Sequence, residues 1–269
     1  MRRERRRRGG VKALPERVVI TGANGSVGTT LRQGLRHRVT TLRLVDVVPI
    51  APGDGEEAIT CDVTDLDAMR AAMRDMNACI HLAAISTEAE FPEILRSNIV
   101  GTWAVFQAAR LEGCRRVVFA SSNHVTGFAR VGERVDAGST FRPDTYYGVS
   151  KLTGEGIGSL YHDKFGLEVA CVRMGTFAER PIEARHLSTW LSPRDCVNLF
   201  EACLTAKDLG FSILYGVSRN KRGWWGLREA RRLGYEPIDD AENYASEIPE
   251  GSPGLYQGGD EFTDPFITI

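Results

Sequence analysis

The sequence predicts an α/β fold in which helices cover both faces of a parallel sheet. Short apolar runs alternate with helical segments along the first two thirds of the chain, which is the pattern of repeated strand–helix–strand units. The first run, Arg17–Thr21, leads directly into a glycine-rich turn, Gly22–Gly28, and a helical segment follows it. A glycine turn in that setting is typical of a Rossmann-type doubly wound parallel sheet. We predict that architecture, with a small C-terminal lobe that caps the ligand site.

The glycine turn predicts a phosphate-binding loop. Glycines let the backbone turn tightly and approach a pyrophosphate, and the helix expected over Thr29–Arg36 presents its amino end to that group. An ordinary glycine-rich turn is the alternative, and the residues that follow must decide between the two. The residues of this loop that we expect to contact a dinucleotide are Gly22, Gly25, Ser26, Val27 and Gly28.

The next acidic residue predicts which dinucleotide binds. Val39–Val45 is expected to form the second strand, and Asp46 ends it, 18 positions after Gly28. This spacing suits a carboxylate that accepts hydrogen bonds from the adenosine ribose and repels a 2'-phosphate. Val47 follows, and no basic residue stands beside it to hold a phosphate. We predict NAD rather than NADP, with Asp46 and Val47 as contacts; simple capping of the loop by Asp46 is the alternative.

Two further strands and the turns after them complete the expected cofactor groove. Ile59–Val63 is predicted as the third strand, Leu66–Met76 as a helix and Ala78–Leu82 as the fourth strand. Asp62 is placed to meet the adenine amino group, and small residues after the fourth strand let a cofactor pass close to the backbone. The cofactor contacts expected here are Asp62, Val63, Leu82, Ala83, Ala84 and Ile85.

The fifth predicted strand brings polar side chains to the site. Phe91–Glu112 is expected to form one long helix that carries Asn98, and Arg116–Ala120 forms the strand after it. This strand delivers Ser121–His124 at its carboxyl end. Ligands of doubly wound sheets bind beyond those ends, so we place the reacting part of the site there.

Tyr147 and Lys151 form the candidate catalytic pair. Residues four apart on a helix share one face, so the lysine ammonium is expected to lie near the phenol. A nearby positive charge favours the ionised phenol and lowers its pKa from the ordinary value of about 10. Tyr147 then becomes a usable general base near neutral pH. Tyr146 is the competing base, but it lies five positions before Lys151 and so points away from it.

The rest of the chain changes in character after a sixth predicted strand, Glu168–Arg173. We divide the chain into a basic tail at 1–15 that is expected to be disordered, a Rossmann domain at 16–173 and a smaller substrate-binding lobe at 174–269. Within the lobe, 211–215 is expected to return a strand to the main sheet. The other elements predicted there are a loop-like Met174–Leu191, a helix over Pro193–Ala206 with Ser192 as N-cap, a short helix over Gly223–Leu233 and a loop-like tail from Ile248. Trp224 and Trp225 in the short helix are expected to pack the lobe on the sheet; stacking on a sugar is the alternative.

Composition excludes several classes of protein. The chain has 269 residues, 42% of them hydrophobic, and a net charge of -1, which favours neither a nucleic-acid binder nor a membrane-surface protein. No apolar run approaches the roughly 20 residues of a membrane span. The six cysteines and five histidines show no metal-ligand spacing, so we predict no metal and a cytoplasmic protein with reduced thiols. The basic start, Met1–Gly10, lacks the apolar stretch of a secretory signal; a nucleic-acid arm is the alternative to a disordered tail.

With the glycine loop, Asp46, Ser122, Tyr147 and Lys151 in this order, the chain resembles the extended short-chain dehydrogenase/reductase superfamily. The glycines have that branch's Gly-x-x-Gly-x-x-Gly form, Ser122 precedes Tyr147 by 25 residues, and Asn98 has its usual Asn-x-x-Gly setting. The resemblance implies that Ser122 orients the reacting oxygen and that Lys151 also holds the nicotinamide ribose. It further implies that Asn98 anchors a water in the proton relay and that the protein is a homo-oligomer.

A closer resemblance, to the uronate dehydrogenases, extends over nearly the whole chain. It implies NAD-dependent oxidation of a small-molecule substrate, D-glucuronate or D-galacturonate, at C1 to the aldarolactone. A cyclic uronic acid presents a hemiacetal hydroxyl at C1 and a carboxylate at C6, which fits the catalytic pair described above. The segments that carry this resemblance are Phe119–His124, Tyr147–Lys151, Arg185–Trp190, Gly223–Trp225 and Gln257–Gly259.

The same resemblance implies the substrate contacts. Arg185 is expected to bind the C6 carboxylate, because a guanidinium matches a carboxylate with two prongs; a structural ion pair is the alternative. His124 is expected to meet a sugar hydroxyl or, alternatively, only to hold its loop. Thr176 stands where a serine is expected, and Phe177, a cofactor contact, where a cysteine is. The remaining candidate substrate contacts are Ser86, Ser122, Asn123, Thr176 and Phe262.

Two other functions stay open at this point. A nucleotide-sugar epimerase or dehydratase of the same superfamily shares the serine, tyrosine and lysine. Such enzymes need room for a nucleotide diphosphate, and their C-terminal lobe is usually larger than the one expected here. A non-catalytic NAD-sensing module is the second alternative, against which the complete set of Ser122, Tyr147 and Lys151 argues.

Overall fold

The computed structural model describes residues 13–263. The basic start of the chain and the last six residues lie outside this range, so the expectation of a disordered tail falls almost wholly outside the described residues. Within residues 13–263, no helix is both long enough and apolar enough to cross a membrane.

Seven parallel strands form the central sheet, in the order β3-β2-β1-β4-β5-β6-β9. The chain first builds outward from β1 to β3, then returns to the other side of β1 with β4 and continues to β9. The predicted doubly wound α/β fold is confirmed by this order. A second, two-stranded sheet pairs β7 with β8. The strands are β1 (Arg17–Thr21), β2 (Thr41–Asp46), β3 (Glu56–Thr60), β4 (Ala78–His81), β5 (Arg116–Ser122), β6 (Glu168–Met174), β7 (Thr176–Phe177), β8 (Trp190–Leu191) and β9 (Phe211–Gly216).

Helices cover both faces of the sheet and bury an apolar cluster on each. The first, seventh and eighth helices pack on one face, and the second, fourth and fifth pack on the other. Strands β1, β4, β5 and β6 are buried almost completely, which is why they appear in the sequence as continuous apolar runs; the edge strand β3 is only partly buried. The helices are α1 (Ser26–Leu35), α2 (Leu66–Met73), α3 (Phe91–Ile94), α4 (Gly101–Leu111), α5 (Tyr146–Phe165), α6 (His186–Thr189), α7 (Pro193–Thr205), α8 (Arg228–Leu233) and α9 (Asp260–Thr263).

The third strand lies earlier in the chain than predicted. It covers Glu56–Thr60 rather than 59–63, because β2 is its only neighbour in the sheet and fixes its extent. The last residue of β2, Asp46, pairs with Thr60. After that pair, the Cys61 N–H still donates to the Asp46 carbonyl at 3.0 Å, and the rest of the apolar run leaves the strand and lines the groove at the carboxyl ends.

The predicted long helix over 91–112 is interrupted. Residues Leu95–Val100 form a π-helix between α3 and α4. Two tight contacts accompany it: Asn98 binds both backbone groups of Ile85, and a Cβ at Gly101 would lie only 2.8 Å from Val63 Cγ2. Helical periodicity in the sequence does not distinguish five-residue from four-residue hydrogen bonding, so the π segment could not be foreseen.

The region after β6 is more ordered than its composition suggested. The segment predicted as loop-like, 174–191, contains β7, β8 and α6. The helix predicted over 223–233 begins only at Arg228, because Trp225 is extended and bridges to Val135. Trp224 and Trp225 are buried in an apolar cluster under this region, and Trp225 stacks on Tyr215 at 5.2 Å.

The domain boundary at 173/174 stays a prediction. Helix α7, with Ser192 as its N-cap as expected, packs on the main sheet beside α1 rather than in a separate lobe. The tail crosses the carboxyl-end edge of the sheet: Tyr256 bridges to Arg130, and α9 follows it. The part of the chain that covers the site is therefore formed by short segments from several places in 174–263.

Candidate active site

One continuous cavity of about 790 Å³ runs along the carboxyl ends of the strands. All the predicted cofactor and substrate residues line it, and among the predicted site residues Asn98 alone does not. Further lining residues, which the sequence analysis did not single out, include Cys61, Arg96, Met174, Glu183 and Glu261.

The glycine loop is built to admit a pyrophosphate. Gly22 has φ +72, and a Cβ there would lie 2.7 Å from the Ala83 nitrogen; at Gly28 a Cβ would lie 2.4 Å from the Gly22 oxygen. Side chains are therefore excluded, and the strand, turn and helix pack closely. Helix α1 begins at Ser26, three residues earlier than predicted, and no side chain caps it. Its first backbone N–H groups therefore face the cavity, where an anion would satisfy them.

Asp46 is fixed before any ligand binds. One carboxylate oxygen accepts from the Asn24 backbone N–H at 2.9 Å and the other from that of Val48 at 3.1 Å. Both donors orient the carboxylate at the end of β2, in the position that suits a ribose. Asp62, in contrast, already binds Arg96 at 2.6 Å and the Thr64 N–H at 2.9 Å, so a contact to adenine would compete with these partners.

Tyr147 and Lys151 share one face of α5, as their spacing predicts. Lys151 Nζ lies 5.5 Å from the centre of the Tyr147 ring and 5.0 Å from that of Phe119. Burial raises the pKa of Tyr147 to about 12, against a smaller opposing effect of its hydrogen bond with Ser122, and lowers the pKa of Lys151 to about 7. Burial therefore outweighs the effect of the ammonium that the sequence led us to expect.

The amino end of α5 is held in two ways. Thr145 caps it by accepting from the Gly148 N–H at 2.8 Å. Glu88, from the turn after β4, accepts from the N–H groups of Tyr146 and Tyr147 at 2.9 Å each. The turn that carries Ser86 is thereby tied directly to the catalytic helix.

Asn98 lies behind the cavity rather than on its lining. Its side chain is buried behind the cavity, where Oδ1 accepts from the Ile85 N–H at 2.8 Å. Its amide nitrogen donates to the Ile85 carbonyl and to Ser150 Oγ, both at 3.0 Å. Both amide hydrogens are used, so the side chain of Asn98 holds the turn after β4 in place, and its role as a water anchor stays a prediction. Ser150 in turn donates to the Tyr147 carbonyl at 2.7 Å, which connects Asn98 to the catalytic helix.

Arg185 reaches the sugar end of the cavity from just before α6. Its Nε and Nη2 donate to the Gln257 carbonyl at 3.0 and 2.7 Å, and its Nη1 donates to Thr176 Oγ1 at 3.2 Å. With the Asn123 amide oriented to donate to the Met174 carbonyl, its oxygen accepts from Arg185 Nη2 at 3.2 Å. Burial lowers the pKa of Arg185, but a guanidinium stays protonated at any physiological pH.

His124 lines the same cavity as Arg185 and is held by a buried carboxylate. Its Nδ1 lies 2.9 Å from Asp144, whose side chain is completely buried. The Tyr147 ring lies 5.8 Å from the imidazole and the Phe262 ring 4.7 Å from it, both edge to face. With Nδ1 donating to the carboxylate, Nε2 is the nitrogen available to a ligand.

Several residues that support the site escaped the sequence analysis. Their roles depend on contacts between distant segments, which the local sequence does not show. A buried pair lies under the catalytic loop, where Glu155 accepts from Arg173 at 2.8 Å and from Ser121 at 2.6 Å. Only Glu155 carried a local signal, because it continues the i, i+4 series of Tyr147 and Lys151. The supporting residues found in this way are Glu88, Asp144, Glu155, Arg173 and Gln257.

Comparison with known proteins agrees with this geometry. The NAD dependent epimerase/dehydratase family matches residues 18–191. A uronate dehydrogenase from Pseudomonas putida is 43% identical over 253 residues, which are 90% of this chain and 94% of that protein. The chain belongs to the uronate dehydrogenase family. The prediction from the sequence is confirmed, and so is NAD as the cofactor of the family.

Two further relatives of this uronate dehydrogenase family member are a solved structure and a dehydrogenase of a different name. A crystal structure of uronate dehydrogenase from Agrobacterium tumefaciens, a tyrosine-to-alanine variant complexed with NAD, superposes with a TM-score of 0.90 at 39% identity and covers 94% of this chain and 98% of that chain. An NAD-dependent glucose-6-phosphate dehydrogenase from Haloferax volcanii is 37% identical, with 87% of this chain and 97% of that protein aligned.

Proposed function

We propose that this protein oxidises D-glucuronate and D-galacturonate at C1 to the aldarolactones, with NAD as the hydride acceptor. The observation that carries the proposal is the partly buried guanidinium of Arg185 in the same cavity as Ser122, Tyr147 and Lys151. A permanent positive charge in a cavity that also holds a proton-abstracting pair selects a small anionic substrate. Membership of the uronate dehydrogenase family supports a sugar acid as that anion.

The polar groups around Arg185 provide the rest of the substrate site. Arg185 binds the C6 carboxylate, and the sugar hydroxyls face Asn123, His124 Nε2, Thr176 and Ser86. Thr176 keeps the hydroxyl of the serine expected at its position, and that hydroxyl already contacts both Arg185 and Thr189. Phe262, whose ring packs on His124, covers the sugar from the tail.

The proton of the anomeric hydroxyl goes to Tyr147. Its phenol has a pKa of about 12 because it is buried, so it needs additional positive charge near it to act as a base. Oxidised NAD supplies a cationic nicotinamide ring that accepts the hydride from C1. Lys151 would hold the ribose of the bound cofactor, and Ser122 would bind the C1 oxygen. Cleavage of the O–H and C–H bonds at C1 would then leave a C1 carbonyl, the lactone. The balance is uronate and NAD⁺ giving lactone, NADH and one proton.

The preference for NAD over NADP rests on Asp46. Its carboxylate is aimed by the Asn24 and Val48 amides, and its charge opposes a 2'-phosphate. Val47, beside it, is 64% exposed and brings no positive charge that would offset this repulsion.

A homo-oligomer and a cytoplasmic location belong to the same proposal. Exposed apolar side chains, among them Trp103, Leu111, Leu160 and Phe165, lie on α4 and α5, which pack side by side. Such a surface supports association of two copies. All six cysteines are free thiols, as is usual in a reducing compartment.

The direct test measures NADH absorbance with the purified protein and a panel of sugars. D-Glucuronate and D-galacturonate are expected to reduce NAD, while D-glucose and D-galactose react far more slowly. A higher rate with glucose 6-phosphate than with either uronate would show that the substrate is a sugar phosphate, as the name of the Haloferax relative says of that protein. Conversion of UDP-glucose without net NADH would identify a nucleotide-sugar epimerase, and NAD binding without any turnover would identify a sensing module.

A further inference from the structure

The guanidinium of Arg185 has one edge that no substrate can reach. Its Nε and Nη2 both donate to a single backbone oxygen, the carbonyl of Gln257, at 3.0 and 2.7 Å. That is the edge through which an arginine most often binds a carboxylate with two parallel hydrogen bonds. The second hydrogen of Nη2 is directed to the Asn123 oxygen, so a substrate carboxylate is left with Nη1, which also donates to Thr176 Oγ1.

The carbonyl that holds Arg185 is itself fixed by the side chain of Gln257. This side chain is completely buried, and its Nε2 donates to the carbonyls of Arg130 and Glu133 at 2.9 and 2.6 Å. Its Oε1 accepts from Trp225 Nε1 at 2.7 Å. The backbone N–H of Gln257 donates to the Ala129 carbonyl at 2.8 Å. Every polar atom of the residue is used, so its carbonyl has one position relative to the core.

We infer that Gln257 is a positioning residue for substrate recognition: its carbonyl sets the direction of the Arg185 guanidinium. The inference rests on the proposed function, since it assigns the orientation of the group that binds the uronate carboxylate. A guanidinium free to rotate would offer several edges to many anions. One that is held by its Nε–Nη2 edge offers a single set of donors at a single place, which is how a rigid support raises both affinity and selectivity.

The same tail segment also borders the histidine side of the site. A Cβ at Gly258 would lie 1.7 Å from Asp144 Oδ2, so the backbone of the tail presses against the carboxylate that holds His124. Gln257 therefore holds Arg185 directly, and Gly258 contacts the carboxylate that holds His124. Neither residue lines the cavity.

The test replaces Gln257 by methionine, which keeps the volume and removes the three side-chain hydrogen bonds. The expected result is a KM for glucuronate raised roughly ten- to hundred-fold, because small displacements of a positioning group have effects of that size. The dissociation constant of NAD should stay unchanged, since the hydrogen bonds of Gln257 go to Arg185, Trp225 and the segment 129–133 rather than to the glycine loop. A matched control is Gln107→Met, which removes the hydrogen bonds that Gln107 Oε1 accepts from Tyr161 and Arg110, near the carboxyl end of α5, and should leave both constants unchanged.

A double-mutant cycle separates positioning from general destabilisation. If Gln257 acts through Arg185, then Gln257→Met should change kcat/KM for glucuronate little once Arg185 is already alanine. Equal effects in both backgrounds, or a wild-type KM in the single variant, would overturn the inference. Gln257→Glu, which keeps an acceptor for Trp225, gives a second variant if the methionine protein does not fold. A wild-type protein that oxidises no uronate would refute the proposed function itself, which is a different outcome.

Discussion

At the scale of single residues, the site contains two groups whose protonation is governed by burial. Burial raises the pKa of Tyr147, which keeps the phenol neutral, and lowers the pKa of Lys151, which disfavours its ammonium form. The chemistry proposed above therefore depends on positive charge that arrives with the cofactor, and not on the Tyr–Lys pair alone.

Replacing Tyr147 by phenylalanine should remove the base and leave the rest of the cavity intact. NADH formation from glucuronate is expected to fall by at least about 100-fold, in the range usual for loss of general base catalysis. The affinity for NAD, measured by fluorescence titration, should be nearly unchanged. Retained turnover would move the role of base to another group, of which Tyr146 is the nearest candidate.

Replacing Lys151 by methionine should stabilise the protein in the absence of NAD. The pKa of Lys151 is lowered by burial from 10.5 to about 7, so between those values the unfolded chain binds a proton that the folded one does not. Stability of the wild type therefore rises with pH through this window, and the cost of burying the charge is largest below pH 7. Thermal unfolding at pH 6, 8 and 10 should show the variant's advantage shrink as pH rises; an advantage that is constant with pH would contradict the assignment.

Asp46→Ala should relax the discrimination against NADP. Removing the carboxylate removes the repulsion of a 2'-phosphate and also the acceptor for the ribose hydroxyls. We expect kcat/KM with NAD to fall and the ratio of NAD to NADP efficiency to drop by roughly ten-fold, which corresponds to about 1.4 kcal/mol. Asp54, an exposed aspartate in the loop before β3, offers a control of equal charge. An unchanged ratio would show that the preference has another origin.

At the scale of elements, the catalytic helix is positioned by a glutamate from a different turn. Glu88 accepts from the first two N–H groups of α5, and Asn98, from the π-helix, ties the same turn to α5 through Ser150. Three elements thus meet at the amino end of α5, next to Tyr147. A cap of this kind typically contributes about 0.5–2 kcal/mol.

Glu88→Ala should therefore lower both stability and turnover. The loss of the cap is expected to lower the melting temperature by about 2–4 °C for each kcal/mol in a protein of this size. The kcat should fall as well, because the position of Tyr147 depends on this end of the helix. Glu90→Ala provides the comparison, since Glu90 is exposed and its side chain caps nothing. A fall in melting temperature with an unchanged kcat would show that the cap is only structural.

The same scale explains which elements the sequence revealed. Strands such as β5 and β6 are buried on both faces, so their apolar runs mark them directly. The limits of β3 depend on its pairing with β2, and the π-helix depends on contacts of Asn98 with Ile85; neither relation is local. The pairing of β7 with β8 involves two residues on each strand, which is too short for any periodicity.

At the scale of the whole molecule, those parts of the site are predictable whose residues lie close together in the sequence. The glycine loop and the Tyr147–Lys151 pair each lie within a few residues of the chain, so their spacing identified them. Gln257 and Asp144 were missed because each acts on a partner that only the folded chain brings near it. Family resemblance could mark Gln257 as shared, but only the hydrogen bonds give it a role.

The exposed apolar surface on α4 and α5 predicts association at the same scale. Light scattering of the wild type is expected to give a multiple of the 29.7 kDa chain mass. Leu160, which is 54% exposed, is the most accessible of the apolar side chains named on this surface, so Leu160→Glu should shift the mass toward the single chain. Leu255, equally exposed at 53% but in the tail, serves as the control position. A wild-type protein of single-chain mass would remove the proposed homo-oligomer.

The hold of Gln257 on Arg185 has a consequence for the order in which the enzyme is made. During synthesis the glycine loop, Asp46 and the catalytic helix leave the ribosome first, and chains of this size begin to fold from the amino end. The glycine loop, Asp46 and Lys151 are therefore synthesised more than a hundred residues before Gln257, and β9, the last strand of the described sheet, about forty residues before it. Selectivity among sugars is therefore the last property to be completed. A chain that lacked its final segment would lack the carbonyl that orients Arg185, and it would lose selectivity for sugar acids before it lost NAD binding.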